Sequence, residues 1–193
     1  MNVRLKILGI LLGSAVMFCS CDKVEEAATT DINVSSTSID LGEIEVDSLD
    51  VDTKSTAAWR RFIRLTKTVT MDDIMNNEEA KKYASKIQSA TIDNTVITIT
   101  LLGTEGTSVD NLRLTADGVE GYYGIDHYAI EKPPVPYTVN NTDAMIFLAK
   151  VYMKLFATNS VTLRLYATTN IPHKASVRVI IKVNDMRLKA KLL

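Results

Sequence analysis

Ile92-Asp93-Asn94-Thr95-Val96-Ile97-Thr98-Ile99-Thr100-Leu101 is the stretch on which the fold class turns. Past Asn94 its isoleucines and threonines alternate with a period of two, the spacing of a pleated strand with one face buried, and not the 3.6 of a helix. Ile44-Glu45-Val46 and Leu49-Asp50-Val51 alternate in the same way. So do Val109–Ala116, Val161–Thr168, Ser176–Val183 and Met186–Leu193. Threonine and valine, which suit a half-buried pleated surface, are frequent in all of these. Turn residues separate the runs: Gly103-Thr104-Glu105-Gly106, Asp117-Gly118, Thr169-Asn170-Ile171-Pro172 and Asn184-Asp185. The last joins two alternating runs through two residues and reads as the turn of a C-terminal β-hairpin. Short strands divided by polar turns predict a mainly β protein, an immunoglobulin-like antiparallel β-sandwich.

Two segments interrupt this pattern. Asp143–Ala157, with Thr142 as its expected N-cap, places Met145, Leu148, Tyr152, Leu155 and Phe156 on one helical face, which Ile146, Phe147 and Val151 widen. One amphipathic helix inserted among the strands is therefore expected, packed against the sheet or against another subunit. Met71-Asp72-Asp73-Ile74-Met75, continuing to Ala84 with Thr70 as a possible cap, reads as a short helical connection outside the core.

The chain has 193 residues, 46% hydrophobic and 23% charged, which fits one globular domain behind a targeting segment. Arg4 and Lys6 precede an apolar run from Ile7 to Phe18, and Cys19-Ser20-Cys21 follows. This is the layout of a secretory signal peptide over residues 1–20. The run is about a dozen residues, short of the ~20 that cross a bilayer permanently. Without Arg4 and Lys6, the remainder carries 20 basic residues against 23 acidic, about −3 net, and no dense basic stripe. Nucleic-acid binding is not expected. Both cysteines are N-terminal, so the domain contains neither disulfide nor thiol nucleophile.

The segment ending Phe18-Cys19-Ser20-Cys21 resembles the lipoprotein signals cut by signal peptidase II, in which a small residue precedes an acylated cysteine. The resemblance implies cleavage before Cys21, a diacylglyceryl thioether on its sulfur and a further acyl chain on its amine. Several chains hold a protein far more firmly than one. Residues 21–30 then form a flexible lipidated tether and residues 31–193 a single domain. The acidic run after Lys23 is similar to the export signal of surface lipoproteins of Bacteroidota, leaving the surface and the periplasmic face of the outer membrane both open. Asp47-Ser48-Leu49 resembles the O-glycosylation site of that phylum.

The order Ser85–Ile92, strand, helix, then Ala167–Pro172 before the last runs also resembles the small β-sandwich surface lipoproteins of Bacteroidota. That likeness implies a fold and an address but no reaction. Zinc is not expected, because two histidines, His127 and His173, cannot supply a structural site without thiolates. No cofactor is indicated, since neither the metalloprotease, nucleophile-elbow, P-loop nor dinucleotide motifs occur. Carboxylate pairs such as Asp72-Asp73 or Glu78-Glu79 could in principle serve glycoside hydrolysis, but adjacent acids in a polar loop read as solvated.

Binding character concentrates in Gly121-Tyr122-Tyr123-Gly124-Ile125-Asp126-His127-Tyr128 and Pro133-Pro134-Val135-Pro136-Tyr137. Read as an aromatic loop, Tyr122, Tyr123, Tyr128 and Tyr137 either contact a glycan or protein partner or pack over one end of the sandwich. Trp59, beside Arg60 and Arg61, reads as a core residue. The expected function is a membrane-anchored, noncatalytic binding or adhesion module at the cell surface. The alternatives are a structural subunit using the helix or an edge strand, and a carboxylate-dependent hydrolase, which would need an acid facing His127 or His173 in a concave pocket.

Overall fold

Long strands and one long helix build the molecule. A computed structural model describes residues 29–46, 61–75, 77–102, 108–171 and 175–192. The expectations for Cys21, Trp59, His173, Asp47-Ser48-Leu49 and the Gly103–Gly106 turn lie outside them. Eight strands are present among the described residues: β1 (Thr29–Glu45), β2 (Arg61–Thr70), β3 (Ile87–Leu102), β4 (Ser108–Ala116), β5 (Val119–Ala129), β6 (Tyr137–Val139), β7 (Ser160–Thr169) and β8 (Ser176–Lys191). β1 begins at Thr29, opposite Lys191, so the last two residues assigned to the tether belong to the sandwich.

The strands form two antiparallel sheets ordered β1-β8-β3-β6 and β2-β7-β4-β5. The expected sandwich, inserted helix and short helical connection are all present, but the connection does not lie outside the core, since Met71, Ile74, Met75 and Ala80 are buried in it. Its connectivity is that of a jelly roll, two interleaved Greek keys in which almost every link crosses from one sheet to the other. In an immunoglobulin domain the strands are instead grouped as ABED and CFG. Only β4 and β5 are joined as a hairpin of adjacent neighbours, through Asp117 and Gly118, with Gly118 at φ +67° as such a tight turn requires.

The first sheet carries a shared irregularity. In β1 both Ser35 and Ser36 face solvent between buried Val34 and Thr37. In β8 half-buried Asn184 and exposed Asp185 lie between Val183 and Met186, and in β3 exposed Asp93 and half-buried Asn94, whose Oδ1 is buried, lie between Ile92 and Thr95. The three sites are in register, the ladder passing from Val34, Met186 and Ile92 to Ser36, Asn184 and Asn94. Asp185 takes a left-handed conformation there, at φ +51°, and the pairing register does not shift across it. Asn184-Asp185 is therefore not the turn of a hairpin. One 16-residue strand runs through it, because β1 and β3 flank both halves and hold the ladder continuous.

Between β2 and β3 lie α1 (Met71–Ile74), α2 (Glu78–Lys82) and a 3-10 turn (Ala84–Lys86). Thr70 caps α1 in a reciprocal box: its hydroxyl accepts from the Asp73 N–H at 3.4 Å, and the Asp73 carboxylate accepts from the Thr70 N–H at 2.7 Å. The long helix, α3 (Thr142–Thr158), lies between β6 and β7 and packs on β3, β5 and β7. Its cap is Asn141, one residue before the expected Thr142, with the Asn141 side chain accepting from the Asp143 and Ala144 N–H groups at 2.9 and 3.4 Å. Asn159, at φ +61°, ends it, its N–H donating to the Leu155 carbonyl.

α3 buries Ala144, Phe147, Leu148, Val151, Tyr152, Leu155 and Phe156. Met145, expected on that face, is only half-buried, and Ile146 is exposed. The buried Tyr152 hydroxyl donates to Thr37 Oγ1 on β1, and Thr37 in turn donates to the Ile74 carbonyl. This chain of bonds ties helix, sheet and connection together. Burial pushes the Tyr152 phenol above its usual pKa. No helix among the described residues is long and apolar enough to cross a membrane.

Candidate functional site

The stretch from Gly121 to Tyr128 is not a loop but most of strand β5, paired with β4 from Ala129 to Val119. Alternation along a strand sends neighbouring side chains to opposite faces, so the four candidate tyrosines separate. Tyr123 is fully buried. Its hydroxyl lies beside Thr95 without a hydrogen bond among the described residues, and burial pushes its pKa up. Tyr128 is also buried: its hydroxyl donates to the Val135 carbonyl and accepts from the Ile99 N–H at 3.3 Å. These two pack, as the competing reading had it, and cannot present a ring to a ligand. Tyr137, on β6, remains half exposed, edge-on to the Tyr128 ring with centroids 6.2 Å apart.

Tyr122 alone of the β5 pair faces outward, at 50% exposure. The Arg113 guanidinium lies 4.9 Å from its ring centroid and bonds Asp126 at 2.9 Å and the Leu112 carbonyl at 3.0 Å. Gly124 makes the arrangement possible. A Cβ there would sit 2.7 Å from Tyr122 Cε2 and 2.9 Å from Arg113 Nη1, closer than side chains approach one another. A ring lying flat across its own strand thus needs a residue with no side chain beneath it.

The register extends this contact into a row. Gly124 is opposite Arg113, Arg113 opposite Tyr166, and Tyr166 opposite Arg64, on four adjacent strands. Arg64 lies 5.5 Å from the Phe62 ring and 6.0 Å from that of Tyr166, and the two rings are 5.5 Å apart. With strands about 4.8 Å apart the row runs roughly 14 Å across the sheet. Each such cation–ring contact is worth about 0.5–1 kcal/mol at an exposed site, enough to hold side chains in place but little for the fold as a whole. Tyr166, Arg64 and Phe62 carry no short-range motif. Only the pairing of β2, β4 and β7, which is non-local, reveals that they stand beside Tyr122.

Where the row ends at Tyr122, a cavity of about 340 Å³ opens between β5 and the start of α3. Glu120, Asn141, Asp143 and Lys150 supply its polar groups, and Ile146 and Phe147 its apolar wall. Beyond Glu120, Ile146 and Lys150 a second cavity of about 920 Å³ borders β3.

His127 does face an acid, with Nδ1 2.6 Å from Asp110 Oδ1. The side chain is 64% exposed, and none of the cavities described here includes it. Ser108 donates its hydroxyl to Asp110 Oδ2 at 3.3 Å and not to the imidazole, so the three do not form a serine–histidine–acid relay. Asp72 pairs with Lys81 at 2.9 Å and Asp73 is spent on the α1 cap, which leaves that carboxylate pair without a shared substrate position. No group of three potential metal ligands occurs among the described residues.

No family model matches this chain, and no curated protein matches it. Solved structures do show a likeness. A protein of desmodium yellow mottle tymovirus is 12% identical, with 86% of this chain and 90% of that one covered and a TM-score of 0.38. The decameric BFDV capsid protein is 8% identical over 83% of this chain and 98% of its own, with a TM-score of 0.40. A chain of mud crab tombus-like virus is 10% identical over 84% and 80%, with a TM-score of 0.36. Similarity at this level bears on neither ligand nor partner.

Proposed function

We propose that this chain is a lipid-anchored, noncatalytic binding module of the bacterial envelope, held at the outer membrane through acylated Cys21. Its ligand face would be the outer side of the β2-β7-β4-β5 sheet. The observation that carries the ligand face is the exposed Tyr122 ring, laid over Gly124, flanked by Arg113 and bordering the 340 Å³ cavity. Rigid rings offer flat apolar area at low entropic cost, and guanidinium groups offer planar donors. A saccharide presents the complement, an apolar ring face edged by oxygen acceptors. Polar groups in the cavity would then orient the sugar at the end of the row.

Affinity electrophoresis of the full chain through gels containing neutral, uronate-bearing or sulfated polysaccharides tests the ligand class. The wild-type chain should be retarded by at least one polymer and Tyr122→Ala should not, with unchanged thermal unfolding. Free migration in every gel sinks the glycan reading. The anchor is tested separately by fractionation: Cys21→Ser should move the chain from the membrane to the soluble fraction, and no change would refute it.

A further inference from the structure

The row across β5, β4, β7 and β2 is uneven in charge. At the Tyr122 end the cations are matched by acids: the Arg113 guanidinium bonds Asp126 at 2.9 Å, and Glu120 and Asp143 stand with Lys150 in the cavity beyond. Nearby on β7, Arg164 holds Asp117 through two bonds, at 2.8 and 3.0 Å. Arg64, on the edge strand β2, is different. It is exposed, its guanidinium lies against the Phe62 and Tyr166 rings, and among the described residues it bonds no carboxylate. Asp110, in register with Phe62 across β7, is taken up by His127 and Ser108.

A guanidinium held beside two rings has lost part of its rotamer freedom before any ligand arrives, which lowers the entropic cost of binding. Its N–H groups form a planar fork that fits the paired oxygens of a carboxylate or a sulfate. The full chain has a formal net charge of −1, so attraction of an anion to this face has to come from the local cation and not from the molecule as a whole.

We propose that the ligand of this face is an acidic oligosaccharide, laid across the strands with sugar rings over Tyr122 and Tyr166 and a carboxylate or sulfate on the Arg64 fork. This rests on the glycan reading above and narrows it. The row, roughly 14 Å at the spacing of strands, is longer than one sugar ring, so more than one ring is seated at a time. Arg64 attracts the anion at one end, while Glu120 and Asp126 repel it from the other, and the two effects together set the direction in which the saccharide lies.

Affinity electrophoresis of the full chain through paired gels separates acid from sugar. One pair is polygalacturonate and the same polymer fully methyl-esterified; the other is dextran sulfate and dextran. Polyglutamate serves as a polyanion without sugar rings. The wild-type chain should bind the acidic member of at least one pair about tenfold or more tightly than its uncharged counterpart, and the pair that shows it tells carboxylate from sulfate. Arg64→Gln should remove that preference with unchanged thermal unfolding. The wild-type comparison decides by itself if the variant fails to fold. Equal retardation within both pairs, or a preference that survives Arg64→Gln, overturns the acidic ligand and leaves the glycan reading intact. Retardation by polyglutamate as strong as by the acidic glycan, or free migration in every gel, overturns both.

Discussion

The two long stripes of α3 have similar apolar content and opposite fates. Phe147, Leu148, Val151, Tyr152 and Leu155 are almost wholly buried, whereas Met145, Ala149 and Met153 are half-buried at the edge of the core and Ile146 is exposed, all four lining a groove. Hydrophobic character marks both; the position of the neighbouring strands separates them. A helix can thus be apolar around much of its circumference with one side building the core and the other lining a groove.

The largest effect that distinguishes the stripes is truncation. Phe147→Ala should cost about 3–5 kcal/mol in urea unfolding, through lost transfer energy and the void left behind, while Ile146→Ala should stay within about 0.5 kcal/mol. Equal losses would break the comparison. Next in size, Asn141→Ala orphans two N–H groups at the helix start and should cost about 1 kcal/mol by the same assay, acting on both stripes together. The strand version of the contrast is Tyr122 against Tyr123. Tyr123→Phe removes a buried hydroxyl that makes no hydrogen bond among the described residues, and should leave stability unchanged or raise it by up to about 1 kcal/mol. Tyr122→Phe, on the surface, should not move it.

The smallest expected effect belongs to a surface pair between β1 and β8. The hydrogen bond from Arg178, assisted by the Gly42 N–H, holds the Asp40 carboxyl below its ordinary value of 3.8 despite partial burial. A depressed folded pKa contributes stability that is present above the unfolded value and lost as pH falls through the folded one. Melting temperatures of wild type and Asp40→Asn should therefore differ at neutral pH and converge below about pH 4. A gap that persists in acid would mean that something other than ionised Asp40 links the strands there.

Much of the secondary structure could be read from alternation alone, as at Val109–Ala116 and Val161–Thr168. Two misreadings share a cause. Asn184-Asp185 and Gly121–Tyr128 hold turn-forming residues, yet both lie within strands. Asn and Asp tolerate the left-handed backbone that hairpin turns use, yet Asp185 adopts it inside a continuous strand, and only the flanking strands decide between the two. At Gly124 the missing side chain makes room for Tyr122 and not for a turn. β2 escaped notice, and β1 was legible only at its end, Ile44-Glu45, because Ser35-Ser36 breaks its alternation halfway. Of the four candidate tyrosines, Tyr122 keeps its place at the proposed ligand face. Its companions Arg113, Tyr166 and Arg64 could not be picked out, since they come together across strands far apart in the chain.

What the amino-acid order determined by itself is local: a period of two for strands, a capped apolar helix, a connection boxed by Thr70 and Asp73, and a domain free of cysteine. Tertiary structure alone decided which strands are neighbours, which tyrosine of β5 faces water and how little of β3 is covered by β6. Periodicity states that a strand has a buried side, but hydrogen bonds between distant segments choose its neighbours. Among the described residues no strand continues the lane beside Gln88–Asn94, because the chain enters α3 after β6.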